Sequence, residues 1–109
     1  MQNDSDETKW TIGYVDDEHE KDIISRATST IEFSKKWTHF VQDVTDNPHY
    51  HPKPHRIRKL KDSTFPKGTW RYRHDPIRVV YYPEGQTKIV YPLEVSSATD
   101  ISYKKKSKK

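Results

Sequence analysis

The sequence predicts an α+β fold in which two N-terminal helices pack on one face of a small antiparallel sheet, and a short run near the start can add an N-terminal strand. Three observations carry this. Apolar residues recur at helical spacing between Ile31 and Val44, and three strand-like runs joined by short polar links fill the second half. Only 30% of the 109 residues are apolar against 33% charged, so the core must be thin and must draw on aromatics such as Trp10, Trp37 and Trp70.

Taken in order, Trp10-Thr11-Ile12-Gly13-Tyr14-Val15 alternates weakly and suits a first strand. Asp16 to Ala27 opens with acids that favour a helix N-terminus and carries a narrow apolar stripe at Ile23, Ile24 and Ala27. A second helix, capped by Ser29 or Thr30, continues through Phe33, Trp37, Phe40 and Val41 until Asn47-Pro48 stops it. The proline-dense segment His49 to His55 reads as an extended loop, and Ile57 and Leu60 follow as two apolar anchors among Arg56, Arg58, Lys59 and Lys61. Strands are expected over Gly68–Arg73, Ile77–Tyr82 and Thr87–Val95. The links His74-Asp75-Pro76 and Pro83-Glu84-Gly85-Gln86 are so short that the strands must form antiparallel hairpins.

Composition excludes several function classes. Without cysteine there is no disulfide framework, thiolate metal site or cysteine nucleophile, which fits a reducing cytoplasm. No apolar run approaches the length of a membrane span, and the acidic start has neither half of a secretory signal, so no membrane partner is expected. Residues 1–9 read as a disordered acidic N-terminus, 10–103 as a single domain, and 104–109 as a disordered basic tail.

Charge is divided along the chain. Residues 1–46 carry five Lys/Arg against eleven Asp/Glu (5 − 11 = −6), and residues 47–109 carry fifteen against five (15 − 5 = +10). A field so lopsided concentrates polyanions at one surface. Alternation in Thr69-Trp70-Arg71-Tyr72-Arg73 puts Trp70 and Tyr72 on one face, the buried one, and Arg71 and Arg73 on the other. Arg78 begins the next strand after a tight turn and joins them. Crowded guanidiniums repel unless something anionic screens them, and a phosphate backbone matches their planar forks. Arg56, Lys59, Lys61 and the tail lysines Lys104, Lys105 and Lys106 extend the RNA-binding candidates, and Tyr50 is the candidate for stacking on a base. His49, His51 and His55 lie in a proline-rich loop without cysteine or neighbouring carboxylates, a poor preformed metal site, so no metal or other cofactor is assigned.

The ordered pattern Asn47-Pro48, Leu60-Lys61, Gly68-Thr69-Trp70-Arg71-Tyr72-Arg73, Ile77-Arg78-Val79-Val80-Tyr81, Asp100-Ile101 and Tyr103-Lys104 resembles the RelE/ParE toxin superfamily of type II toxin–antitoxin systems. The resemblance implies a compact toxin held inactive by a cognate antitoxin. RelE-like members cut messenger RNA on the ribosome without a metal, whereas ParE-like members inhibit DNA gyrase without cutting RNA; a catalytically silent RNA-binding relative is a third alternative. Under the RelE-like reading Arg71, Arg73 and Arg78 match the family's basic sheet residues, and Tyr103 matches its C-terminal tyrosine, a proton carrier acidified by neighbouring cations. His74 is the second candidate for that role, although strand alternation points it away from Arg73; Tyr81 is expected in the core. Val95 to Thr99 lacks the arginine or histidine that many RelE-like members place ahead of the final tyrosine.

Overall fold

The computed structural model describes residues 9–61 and 64–97. Strand β1 (Thr11–Ile12) is followed by helices α1 (Asp17–Ala27) and α2 (Ile31–Asp46), and then by strands β2 (Ile57–Lys59), β3 (Trp70–His74), β4 (Ile77–Glu84) and β5 (Ile89–Ser97). The strands form one sheet in the order β1-β5-β4-β3-β2. No helix among the described residues is long and apolar enough to cross a membrane.

Both helices start on side-chain caps. Asp16 accepts from the His19 amide at 2.8 Å, and Thr30 accepts from the Phe33 amide at 3.0 Å, each meeting an amide that has no partner within the helix. Acidic Asp17, Glu18 and Glu20 then oppose the positive end of the α1 dipole. Helix α2 buries Trp37, Phe40 and Val44, one stripe of a 3.6-residue period, and ends at Asn47, whose side chain accepts from the His49 amide at 2.9 Å.

That stripe meets the sheet in an aromatic cluster. Phe40 stands edge-on to Tyr72 (5.2 Å between centroids) and Tyr81 (5.6 Å), and Trp37 stacks on Phe40 at 5.0 Å. Ile23 and Ala27 of α1 join Ile77, Val79, Val90 and Val95 in the same core. Each fully buried large apolar side chain contributes about 1.5–3 kcal/mol, which is how so few apolar residues suffice. The Tyr81 hydroxyl donates to the Pro48 carbonyl at 2.6 Å, fastening the end of α2 to the middle of the sheet.

The two helices on one sheet face and the β3–β4–β5 meander are as the sequence predicts. Three details differ. The sheet is mixed: the extra N-terminal strand forms as β1 and runs parallel to β5 (Thr11 opposite Ile89, Ile12 opposite Val90), beside the antiparallel pairings expected of the later strands. The chain enters between Thr45 and Lys88, with Trp10 and Thr11 amides donating to their carbonyls, in the direction β5 already follows. A fifth strand, β2, forms where only two apolar anchors were expected; at three residues it is too short to show a period. Strand β4 continues through Pro83 and Glu84, moving the turn toward Gly85–Lys88. Pro92 fits inside β5 because the ladder shifts register at Val80/Tyr81, where a residue without an amide hydrogen is tolerated. Gly68, at φ 92°, turns the chain into β3 and lets the Tyr82 ring approach where a Cβ would sit at 3.3 Å.

Candidate functional site

The face of the sheet away from the helices carries the charge. In β3, Trp70, Tyr72 and His74 point toward the helices, so Arg71 and Arg73 point to the opposite face. Register then brings arginines together from three strands: Arg73 lies opposite Arg78, and Arg71 opposite Arg58. A cleft of about 710 Å³ opens over them, lined also by Lys53, His55, Arg56, His74 and Asp75. The amide of Arg73 donates to the Arg56 carbonyl at 2.8 Å, which pins the start of β2 along the cleft.

The electrostatics are those of a site prepared for an anion. Burial, and then the charges of Arg78, Arg58 and Arg73, lower the pKa of Arg71 below the usual guanidinium range. Its Nε is buried and has no hydrogen-bond partner among the described residues. Arg78 is only 7% exposed. Arg73 is tied through Nε to the Asp75 carboxylate at 3.1 Å; that acid lies in the adjoining turn, not in the acidic helices, which occupy the other side of the sheet.

The remaining candidates are dispersed. Lys59 pairs with Trp70 and so lies on the helix-facing side, where its charge, after burial, lowers the pKa of His49. Lys61 lines a separate surface depression with Lys67 and Gly68. Tyr50, 64% exposed, follows α2 and does not line the cleft. Tyr103, Lys104, Lys105 and Lys106 lie outside the described residues. Tyr81 is fully buried, and burial raises its pKa.

His74 occupies the last position of β3, and it lines the cleft while its ring turns toward α2. Its Nδ1 is 3.3 Å from the Tyr72 hydroxyl and its Nε2 3.3 Å from Lys36 Nζ, and the His39 ring stacks on it at 5.2 Å. Desolvation, followed by the charges of Arg56, Lys36 and His39, lowers its pKa to about 4. The Tyr72 hydroxyl donates to Asp43 Oδ2 at 2.8 Å, and the same oxygen is 3.1 Å from His51 Nε2.

Two parts of this arrangement escape sequence reading. Arg58 reads as one of several basic residues until β2 is known to pair with β3. Asp43 sits on a helix with no visible link to the later strands, and Tyr72 reads as core. Two of the loop histidines have packing roles: His49 is held edge-on between Trp10 (5.5 Å) and Trp70 (5.4 Å), and His51 bonds Asp43. Among the described residues no three His, Asp or Glu side chains form a metal-holding group.

No protein-family model matches the chain, and no curated protein does. Among solved structures, a chain in the crystal structure of the toxin–antitoxin complex RelBE2 from Mycobacterium tuberculosis is similar, with a TM-score of 0.60 at 14% identity. The superposition covers 82% of this chain and 98% of that one. At this identity the likeness concerns the fold, and the α+β architecture expected from the family resemblance is the one observed.

Proposed function

We propose that this chain is the toxin of a type II toxin–antitoxin pair and acts in the cytoplasm as a metal-independent, ribosome-dependent messenger RNA endonuclease. The observation that carries the reading is the convergence of Arg58, Arg71, Arg73 and Arg78 from three strands into one cleft, with Arg71 partly desolvated among like charges. Such repulsion is relieved by a phosphodiester, and it favours most strongly the species of greatest negative charge, the phosphorane-like transition state of strand scission.

In that reaction the 2′-hydroxyl attacks its own phosphate in line, which needs fixed positive charge and a proton acceptor. The arginines supply the charge and hold their protons too tightly to serve as bases near neutral pH. Proton transfer falls to His74, which borders the cleft, or to Tyr103. The fold it shares with a chain of the RelBE2 toxin–antitoxin complex supports a cognate antitoxin as partner, and acidic residues in its inhibiting segment would complement the arginine cleft.

The test is primer extension on a defined messenger RNA in a purified translation system, with and without ribosomes, using the wild type and the Arg58→Ala and Arg73→Ala variants. These side chains are at the surface, whereas Arg78 is buried and its removal would disturb packing as well as charge. Cuts that require ribosomes and weaken in both variants are expected. A folded wild type that leaves messenger RNA intact overturns the endonuclease reading; inhibition of gyrase supercoiling by that protein would then mark a gyrase-directed toxin, and RNA binding without either effect a silent relative.

A further inference from the structure

Helix α2 carries two stripes. One, of Trp37, Phe40 and Val44, is core; beside it Lys36, His39 and Asp43 recur at helical spacing and meet the end of β3. There they build a second group of cations, on the helix-facing side of the sheet. Lys36 Nζ lies 3.3 Å from His74 Nε2, and the His39 ring stacks on the His74 ring at 5.2 Å. The Arg56 guanidinium, its carbon 6.0 Å from the centre of the Tyr72 ring, donates to the Tyr72 hydroxyl. Among the described residues neither Lys36 nor Arg56 has a carboxylate at ion-pair distance. Asp43, the acid of the group, already accepts on Oδ2 from the Tyr72 hydroxyl at 2.8 Å and meets His51 Nε2 there at 3.1 Å. Burial, then the charges of Arg56, Lys36 and His39, hold the pKa of His74 at about 4, and Asp43 alone opposes them. Lys36, Arg56 and His74 are half-buried and His39 is exposed, so the group is open to solvent and short of an anion.

We propose that Lys36, His39 and Arg56 form a second phosphate seat, which takes a phosphodiester of a single-stranded RNA beyond the one held in the arginine cleft. This rests on the RNA-binding reading of the cleft and carries its track round the edge of the sheet. Arg73 and His74 are consecutive in β3, so their side chains leave neighbouring backbone positions toward opposite faces. Arg56 and His74 line the cleft and also contact the helix-side group, which makes the two surfaces continuous. The Arg56 carbonyl accepts from the Arg73 amide at 2.8 Å, and the Arg56 amide donates to the Lys53 carbonyl at 3.0 Å, so this corner is held in place. A strand passing over Arg71 and Arg73 meets Arg56 at the edge and Lys36 beyond it.

The donors suit a phosphate. After the bond to His74 the Lys36 ammonium keeps further N–H groups, and after the bond to Tyr72 so does the Arg56 guanidinium. A carboxylate on a protein partner would satisfy the same donors, but continuity with the cleft favours RNA, whose phosphates recur along one strand and reach both seats together. Affinity should then depend on strand length, and the added part should depend on Lys36. Lys35 provides the contrast: it is exposed, carries the same charge and lies about 100° round the helix from Lys36.

The experiment is fluorescence anisotropy with labelled 2′-O-methyl RNA, which cannot be cut, as a trinucleotide and as a decanucleotide, against the wild type, Lys36→Gln, His39→Gln and Lys35→Gln. Lys36→Gln should weaken binding of the decanucleotide by about fivefold and flatten its salt slope by about 0.7, as for one phosphate contact on a single strand. The trinucleotide, which the cleft holds alone, should change by less than about twofold. His39→Gln should likewise act on the longer RNA only, and Lys35→Gln on neither. Equal losses for the two lengths, an equal loss in Lys35→Gln, or a wild type that binds the decanucleotide no more tightly than the trinucleotide overturns the proposal. So does a Lys36→Gln variant that keeps full RNA affinity and loses only its antitoxin, which would make the group a protein contact. Primer extension on ribosomes separates the two claims: a wild type with length- and Lys36-dependent binding that leaves messenger RNA intact keeps the seat and gives up the endonuclease reading.

Discussion

Arg58 and Lys59 are adjacent in sequence and carry the same charge, yet they lie on opposite faces of β2, and this separates cleft binding from general basicity. The cleft is lined by the permanent cations Lys53, Arg56, Arg58, Arg71, Arg73 and Arg78. Each phosphate neutralised on a single strand releases counterions worth a slope of about −0.7 in log K against log salt. With Arg73 set aside for its tie to Asp75, five contacts give about −0.7 × 5, or roughly −3.5. Raising salt from about 50 to about 200 mM should therefore weaken binding of a short single-stranded RNA by about a hundredfold. Arg58→Ala should flatten the slope by about 0.7, whereas Lys59→Ala, which removes a charge from the helix-facing side, should leave it unchanged. Fluorescence anisotropy with a labelled oligonucleotide across that salt range measures all three. Equal flattening by both variants, or a wild-type slope near zero, would refute the assignment of binding to the cleft.

Three further outcomes follow from the packing. Tyr81→Phe removes the donor to the buried Pro48 carbonyl and should destabilise the protein by about 1–3 kcal/mol, read as a lower midpoint in urea with unchanged m-value. The folded-state pKa of His74, about 4, lies below its ordinary 6.5, so the unfolded chain binds more protons between these values and stability must fall as pH drops through that window. After allowance for solvent screening of this partly exposed ring, the loss attributable to His74 is about 1–2 kcal/mol; His74→Gln should lose correspondingly less stability between pH 7 and pH 4 in denaturation series, and an equal loss would contradict it. At Gly13 an added Cβ would sit 2.5 Å from the Ile89 side chain, so Gly13→Ala should disturb the β1–β5 pairing and lower the melting temperature by several degrees.

Much of the architecture was legible because it rests on local periodicity. The capped stripe of α2 and the alternation of Trp70 and Tyr72 against Arg71 and Arg73 each appear within a few residues, and the site's central arginines emerge with them. What was hidden depends on contacts distant in sequence. Strand β2 has three residues and gains its identity only from pairing with β3, so Arg58 was not singled out. The parallel placement of β1 depends on β5, 77 residues on from Ile12 to Ile89 (89 − 12 = 77), and no local pattern encodes a direction. Asp43 and Tyr72 meet across 29 positions, and each has an adequate local explanation, as an exposed helix residue and as a core ring. Polar partnerships of this kind leave no period to detect.

The segregation of charge has a further consequence for how the molecule meets a partner. Acids cluster in the first turn of α1 on one side of the sheet, and arginines line the cleft on the other, so charge of opposite sign is set on the two sides. In the field of a large polyanion such a body experiences a torque before contact, and it rotates until the cleft leads. Fewer collisions are then wasted on the wrong orientation, and the capture rate, more than the final affinity, becomes the property most sensitive to reversing acids on the far helix.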